Sequence, residues 1–292
     1  MNEKKENALI SVIMPTYNRG YCIQRSVNSV LNQTYSNLEL IIVDDCSTDN
    51  TESIIGAYND LRISYIKLKK NIGACAARNL GIQRARGKYI AFQDSDDEWL
   101  ETKLEEQYIF LKKMNADMVF CSFYFFEQKK LFPQKHYTNS EVKKELLKQN
   151  LISTQTIFSK REVFDKYKFD EKMPRFQDWD VVLRIVQTYN ISHLHKGLVN
   201  VYRQNNSLSC DYRKAYKAVL RMIEKYKNNI YSEKENLARI YCMAGKMAFL
   251  SKNESRIWFY KAYKTDKKIK YLFMWILNNS LGNVILKKKW EQ

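Results

Sequence analysis

The stretch Tyr89-Ile90-Ala91-Phe92-Gln93-Asp94-Ser95-Asp96-Asp97 ends a short apolar run in three carboxylates within four residues. A strand that carries Ile90 and Phe92 into a core leaves Asp94, Ser95 and Asp96 at its exposed carboxyl end. Adjacent acidic groups repel by about 1 kcal/mol per close pair in water, and by more in a cleft. A cation therefore belongs among them, and hard oxygen ligands suit Mg or Mn better than Zn. Taken alone, an Asp-x-Asp is more often a solvated acidic turn. Its neighbours in the fold decide the matter, and Asp97 is left to read as a helix cap.

Arg78 stands in Asn71-Ile72-Gly73-Ala74-Cys75-Ala76-Ala77-Arg78-Asn79. The small residues at 73–77 let a helix approach a ligand closely, and a guanidinium can fork onto a diphosphate. On this segment alone a surface arginine is an equal reading. Thr16 and Asp45 suit hydrogen bonding to a base and a ribose. Pro15-Thr16-Tyr17-Asn18 also reads as a plain turn, and one of Asp44 and Asp45 as a helix cap. In Gln177-Asp178-Trp179-Asp180 the aspartates open a helix, where such residues are most often caps. Beside a tryptophan, a carboxylate can also lose water and gain basicity, as a general base requires. Neither a Walker A sequence nor G-x-G-x-x-G occurs, so phosphate handling falls to a metal and cationic side chains. His136, His193 and His195 do not read as a metal-binding set. His193 and His195 alternate on one strand and read as structural.

Elements that could position these groups follow in order. Ala8–Met14, stopped by Pro15, reads as a buried strand, and Cys22–Gln33 as an amphipathic helix. Leu38–Val43 is a second strand ending in Asp44-Asp45, with Ser47-Thr48-Asp49 capping a helix through Ile54-Ile55. Ile63–Leu68 is a third strand, Ala74–Arg84 a helix between Gly73 and Gly87, and Tyr89–Phe92 a fourth strand. A helix over Glu101–Met114 and a strand over Met118–Ser122 come next. Thr154–Phe158 and Leu198–Tyr202 read as strands flanking a helix from Asp178. Alternating strands and helices imply right-handed crossovers and an α/β, Rossmann-like, mainly parallel sheet. Ligands bind at the carboxyl ends of such strands. The clusters at 15–18, 44–45 and 94–96 all fall on that rim.

From about Tyr212 the chain reads as helical, with one hairpin packed through Ala238, Cys242, Gly245, Phe249, Trp258, Ala262 and Tyr263. A catalytic domain over 1–210 and a basic helical region over 211–292 are expected. Residues 211–292 hold 19 Lys+Arg against 7 Asp+Glu, a surplus of +12 in a chain whose net charge is +17. Such a surface favours anionic partners. The Trp275 and Trp290 regions with Lys287-Lys288-Lys289 suit an anionic membrane surface.

At 292 residues, with 45% hydrophobic content, the chain can bury a full core, and disorder is excluded as a description of the whole. Six scattered cysteines without a C-x-x-C pair point to reduced thiols of the cytoplasm. The longest apolar run, Tyr271–Leu277, is about a third of a membrane span. Peripheral attachment at the inner face of the cell membrane is the expected placement.

In order and spacing, these segments resemble the nucleotide-sugar transferases of glycosyltransferase family 2, which have the GT-A fold. The resemblance runs from about Leu9 to Ser209. It rests on Ser11–Asn18, Ile42–Asp49, Asn71-Ile72-Gly73 with Ala77-Arg78-Asn79, Asp94–Trp99, Gln177–Asp180 with Arg184, and Tyr202-Arg203. It implies that Pro15, Thr16, Tyr17, Asp45, Arg78, Asp94 and Ser95 form the nucleotide site. Asp45 would read the base, usually uracil, and Arg78 the diphosphate. Asp96, with Asp94, would hold Mn or Mg, and Asp178 would be the catalytic base of an inverting transfer to a glycan acceptor. That acceptor would be a lipid-linked precursor of a bacterial capsule, O-antigen or similar surface polysaccharide. Two departures stand out: Gln177 where the family often has Glu, and Asn205 where many members carry His. Nucleic acid is not an expected partner.

Two rival functions remain open at this stage. A sugar nucleotidyltransferase would use a similar acidic metal site and release pyrophosphate. A non-catalytic polyanion-binding protein would bind through its basic tail, with salt sensitivity and no dependence on Asp94 or Asp96.

Overall fold

The computed structural model describes residues 7–202 and 211–278. The chain divides into two compact units. Met1–Lys144, Asn150–Glu171 and Gln177–Arg203 form the first, and Glu145–Gln149, Lys172–Phe176 and Gln204–Gln292 the second.

Apolar, β-branched segments build the sheet of the first unit. β1 (Ile10–Thr16) and β2 (Leu38–Asp44) are buried along their whole length, as strands covered on both faces must be. With β3 (Ile63–Lys67) and β4 (Tyr89–Phe92) they pair in parallel in the order β3-β2-β1-β4. The crossovers are α1 (Ile23–Leu31), α2 (Thr51–Gly56) and α3 (Ala74–Arg84). Beyond β4 the nine-stranded sheet takes in β8 (Ile157–Lys160), antiparallel, then β6 (Met118–Phe125) and β9 (Ile191–Val201), parallel to each other. Two short strands complete it: β5 (Glu98–Trp99) on β9 and β7 (Lys130–Phe132) on β6. The remaining helices are α4 (Lys103–Met114), α5 (Asn139–Leu146), α6 (Arg161–Lys166) and α7 (Gln177–Ile185). This is the α/β architecture with a parallel half that the apolar spacing predicts.

Several boundaries differ from that expectation. β1 runs through Pro15 to Thr16 instead of stopping before it. β4 pairs with β1 only as far as Ile13. The missing N–H of Pro15 therefore faces no ladder partner, and the ring costs the strand nothing. Thr154–Thr156 forms a 3-10 turn ahead of β8. The expected strand at Leu198–Tyr202 is the end of an eleven-residue β9.

Close packing sets where the polar rim lies. A Cβ on Gly81 would sit 2.4 Å from the Ile13 side chain, so glycine lets α3 close onto β1. On the opposite face of the sheet, Val12, Met14, Leu40, Ile42, Tyr89 and Phe158 belong to one continuous core with α1 and α4. That core fixes the direction in which the ends of β1, β2 and β4 point.

The second unit holds α8 (Tyr212–Tyr226), α9 (Lys234–Leu250), α10 (Arg256–Thr265) and α11 (Ile269–Leu277). The expected hairpin is α9 with α10. A Cβ on Gly245 would meet the Phe259 ring at 2.7 Å, so the small residue is what brings the two helices together. Tyr271 of α11 is buried with Ala238 and Ala262, and Trp258 Nε1 donates to the Tyr216 hydroxyl at 2.9 Å, so α8 and α11 join the same unit. No helix among the described residues is long and apolar enough to cross a membrane. Arg203, Asn205, Cys210, Lys287-Lys288-Lys289 and Trp290 lie outside the described residues.

Candidate active site

Thr16 and Asp44 end β1 and β2 side by side, and the Asp45 N–H donates to the Thr16 carbonyl at 2.8 Å. The two neighbouring aspartates then part. Asp44 is fully buried and accepts from the Ser47 N–H at 2.8 Å and the Tyr65 hydroxyl at 2.5 Å. It is the structural member of the pair. The Asp45 carboxylate accepts the N–H groups of Ile72 and Gly73 at 2.6 and 2.8 Å. Gly73 has φ +89°, a conformation that favours glycine. Asp45 thus fastens the turn from which α3 starts. Thr16 Oγ1 is buried without a hydrogen-bond partner among the described residues. Pro15 and Ser95 are buried too, and Tyr17 is 45% exposed.

Arg78 joins this turn to the acidic stretch. It is 7% exposed, and its Nη2 donates to Asp94 Oδ1 at 2.9 Å while Nη1 donates to Gln177 Oε1 at 2.8 Å. The amide at 177 therefore keeps the acceptor that a glutamate would offer and gives up only its charge. Arg78 Nε has no hydrogen-bond partner among the described residues.

Asp178, beside Gln177 at the start of α7, is half-buried, and its Oδ1 accepts the Trp179 N–H at 2.7 Å and the Asn150 amide at 3.1 Å. Burial pushes its carboxyl up to about 6, against the Trp179 N–H, Arg78 and the Asn150 amide, with Asp94 adding to the rise. A carboxylate so tuned is ionised at neutral pH and more basic than an ordinary one. Asn150 had no sequence signal, since it reaches Asp178 across 28 residues. Asp180 is buried and paired with Arg184 at 3.0 Å, a scaffold role.

The cation expected among the acids is in place, as arginine. Arg19 Nε donates to Asp96 Oδ2 at 3.3 Å. Arg25 Nη2 donates to the Asp96 carbonyl oxygen, and the Arg25 guanidinium lies 3.6 Å over the Tyr202 ring. Burial and the Asp94 charge raise the carboxyl of Asp96, and Arg19 opposes them. Arg19 and Arg25 were not singled out in the sequence, although Arg19 follows directly on Pro15–Asn18 and Arg25 lies in the first turn of α1.

Asp97 corrects an expectation. It caps no helix: α4 begins at Lys103 after Thr102. Its carboxylate is buried and accepts the Tyr202 N–H at 2.7 Å and the Gln155 amide at 2.5 Å. It ties the end of β9 and the turn before β8 to the acidic stretch.

Among the described residues no group of three or more His, Cys, Asp or Glu is arranged to hold a metal ion. The chemistry of the donors present nevertheless fits Mg or Mn on a diphosphate. Asp94 and Asp96 are hard oxygen donors close enough to raise a carboxyl by mutual repulsion, and such ions take the rest of their shell from water and phosphate oxygens.

The histidines come together more than their spacing implies, with ring centroids 5.5 to 6.3 Å apart. His193 is buried, meets Ser122 Oγ through Nε2 at 3.0 Å and accepts the Tyr137 N–H on Nδ1 at 3.2 Å. Burial and its two histidine neighbours lower it to about 3. It is a neutral packing group.

The family model described as "Glycosyl transferase family 2" matches residues 11–168. A glycosyl transferase assigned to colanic acid biosynthesis, WcaA of Escherichia coli (strain K12), is 39% identical over 194 residues, 63% of this chain and 68% of that one. The UDP-Glc:alpha-D-GlcNAc-diphosphoundecaprenol beta-1,3-glucosyltransferase WfgD of Escherichia coli is 33% identical over 208 residues, covering 69% and 79%. Among solved structures, the mannosyltransferase PcManGT of Pyrobaculum calidifontis in complex with GDP-Man and Mn2+ superposes with a TM-score of 0.60 at 15% identity, covering 99% of this chain and 89% of that one.

Proposed function

Because the chain belongs to glycosyl transferase family 2, we propose that it moves a sugar from a UDP-sugar to a hydroxyl of a lipid-linked glycan, with inversion, in the synthesis of a bacterial surface polysaccharide. The observation that carries this is the bridge made by Arg78, which binds Asp94 and Gln177 at once and stands beside Asp178. It joins the nucleotide end of the rim to a tuned base.

Each residue then has a task. Thr16 and Asp45 receive the base, Asp45 with the lone pairs that the amides of Ile72 and Gly73 leave open. Asp94 faces the ribose. Arg78 meets the diphosphate. Asp178 takes the proton of the acceptor hydroxyl as that oxygen forms its bond to the anomeric carbon and the bond to the diphosphate breaks. The departing electron pair leaves with the nucleoside diphosphate. Positioning and charge stabilisation of this kind supply most of the barrier reduction in such transfers. Mn or Mg would be held by Asp96 with Asp94 and would neutralise charge on the leaving diphosphate. A single displacement turns an α-linked donor into a β-linked product.

The UDP-Glc and diphosphoundecaprenol in the name of WfgD support the donor and acceptor classes, and the Mn2+ of the mannosyltransferase supports the metal. A lipid-linked acceptor brings the enzyme to the inner face of the cell membrane. On α11, Ile269, Phe273 and Ile276 are exposed at helical spacing, beside Lys267 and Lys270, as a helix lying in an anionic surface requires. The test is nucleotide release from a panel of UDP-, GDP- and dTDP-sugars with Mn or Mg. UDP from one UDP-sugar is expected. No nucleoside diphosphate from any of them, with a nucleotide sugar and pyrophosphate formed instead from a nucleoside triphosphate and a sugar 1-phosphate, would replace this reading with nucleotidyl transfer.

A further inference from the structure

Asp94 and Asp96 each meet a guanidinium, on unequal terms. Arg78 is 7% exposed and shared between two acceptors at 2.9 and 2.8 Å. The Arg19 side chain is 26% exposed and touches Asp96 through Nε alone, at 3.3 Å. Its Nη1 rests on the carbonyls of Tyr17 and Asn18, both also at 3.3 Å. The backbone beneath it is well fixed. The Arg19 N–H donates to Thr51 Oγ1 at 3.1 Å, and Asn18 sits at φ +51° with its own N–H on Ser47 Oγ at 2.9 Å. A firmly anchored residue therefore presents a side chain held by long bonds, able to leave without disturbing β1.

A guanidinium and a divalent cation on the same carboxylate repel each other, so each weakens the other's binding. Resting on the reading of Asp96 as the metal carboxylate, we propose that Arg19 competes with the divalent cation for Asp96. The cation then binds tightly only together with a diphosphate, whose negative charge takes over Arg19. Arg19 thereby makes metal and nucleotide binding mutually dependent, and linkage requires each to strengthen the other by the same factor. In their absence it neutralises Asp96, a carboxylate that would otherwise face Asp94 uncompensated.

The experiment is Mn(II) titration followed by electron paramagnetic resonance of the free ion, with and without UDP, on the full chain and on Arg19→Met. Without UDP, Arg19→Met should bind Mn about 5-fold tighter or more, and the gain in Mn affinity caused by UDP should shrink by a similar factor. Arg19→Lys, which keeps the charge, should stay near the unaltered protein and serves if the methionine variant folds poorly. Equal or weaker Mn binding in Arg19→Met overturns the competition. Asp96→Asn, titrated in parallel, should abolish Mn binding. Binding that survives it overturns the metal reading, and the proposal with it.

Discussion

Asp94–Asp97 is one short stretch facing two regions of opposite character. Toward the rim, polar groups keep open valences: Thr16 Oγ1 and Arg78 Nε have no hydrogen-bond partner among the described residues. Behind it, most groups are bonded to one another, the side-chain oxygens of Gln93 and Gln155 excepted among the described residues. Asp97 holds Tyr202 and Gln155, the Tyr202 hydroxyl reaches Glu98 at 2.9 Å, and Ser26 and the Gln93 amide donate to the Asp97 carbonyl at 2.6 and 2.9 Å. Buried polar groups without partners cost stability, and fully bonded ones make rigid scaffolds. The rim therefore reads as the side that waits for ligands, and the bracket behind it as the side that holds the rim still.

Substitutions on the two sides should separate activity from stability. Asp178→Asn should lower kcat/KM by roughly 10²–10⁴-fold, the range of a lost general base. Its melting temperature should hold or rise at pH 8. The carboxyl lies at about 6 in the fold, above its unfolded value, so its ionised form destabilises the fold above that pH. The gain should fade as pH drops toward 4, which calorimetry across pH would read. Asp97→Ala should do the reverse. Stranding the Tyr202 N–H and the Gln155 amide costs about 2–4 kcal/mol, or roughly 5–10 °C by calorimetry. A variant that melts normally but loses turnover would move Asp97 to the rim.

How far these regions were legible in the sequence follows from the reach of the contacts. The helix over Ala74–Arg84 matches the expected span residue for residue, because Gly73 and Gly87 bracket it locally. The parallel pairing of β1 to β4 follows from the alternation of strands and helices, whereas their order emerges only in the fold. The rim was legible because strand ends announce themselves where an apolar run meets polar residues. β5 and β7 were not, being two and three residues long and defined only by their pairing partners. Asp97 was misread because its partners lie 105 and 58 residues away, with no local trace. Asn150 and Arg19 share that difficulty, since each meets its carboxylate only in the folded chain.

Smaller effects sharpen the same contrast. Below pH 6, kcat/KM should fall about tenfold per pH unit as Asp178 takes up its proton, while above it the rate should be flat in this group. A pH–rate profile without an acidic limb near 6 would remove Asp178 as the base. Lys103 is the charged exception within the scaffold. It is fully buried, its Nζ lies 3.7 Å over the Trp99 ring without a hydrogen-bond partner among the described residues, and burial lowers it to about 8. Lys103→Met should stabilise the fold by about 1–2 kcal/mol at pH 7. The charge penalty is full below pH 8 and vanishes once the lysine is neutral in both states. The gain should therefore shrink by pH 10, as denaturant titrations at both pH values would show.

The most direct test of inverting transfer is the anomeric configuration of the product, read by proton NMR after reaction of an α-linked UDP-sugar with a diphospholipid-linked acceptor and Mn. A β-linked glycan with free UDP is the predicted result. An α-linked glycan, or an acceptor left unextended, would contradict it.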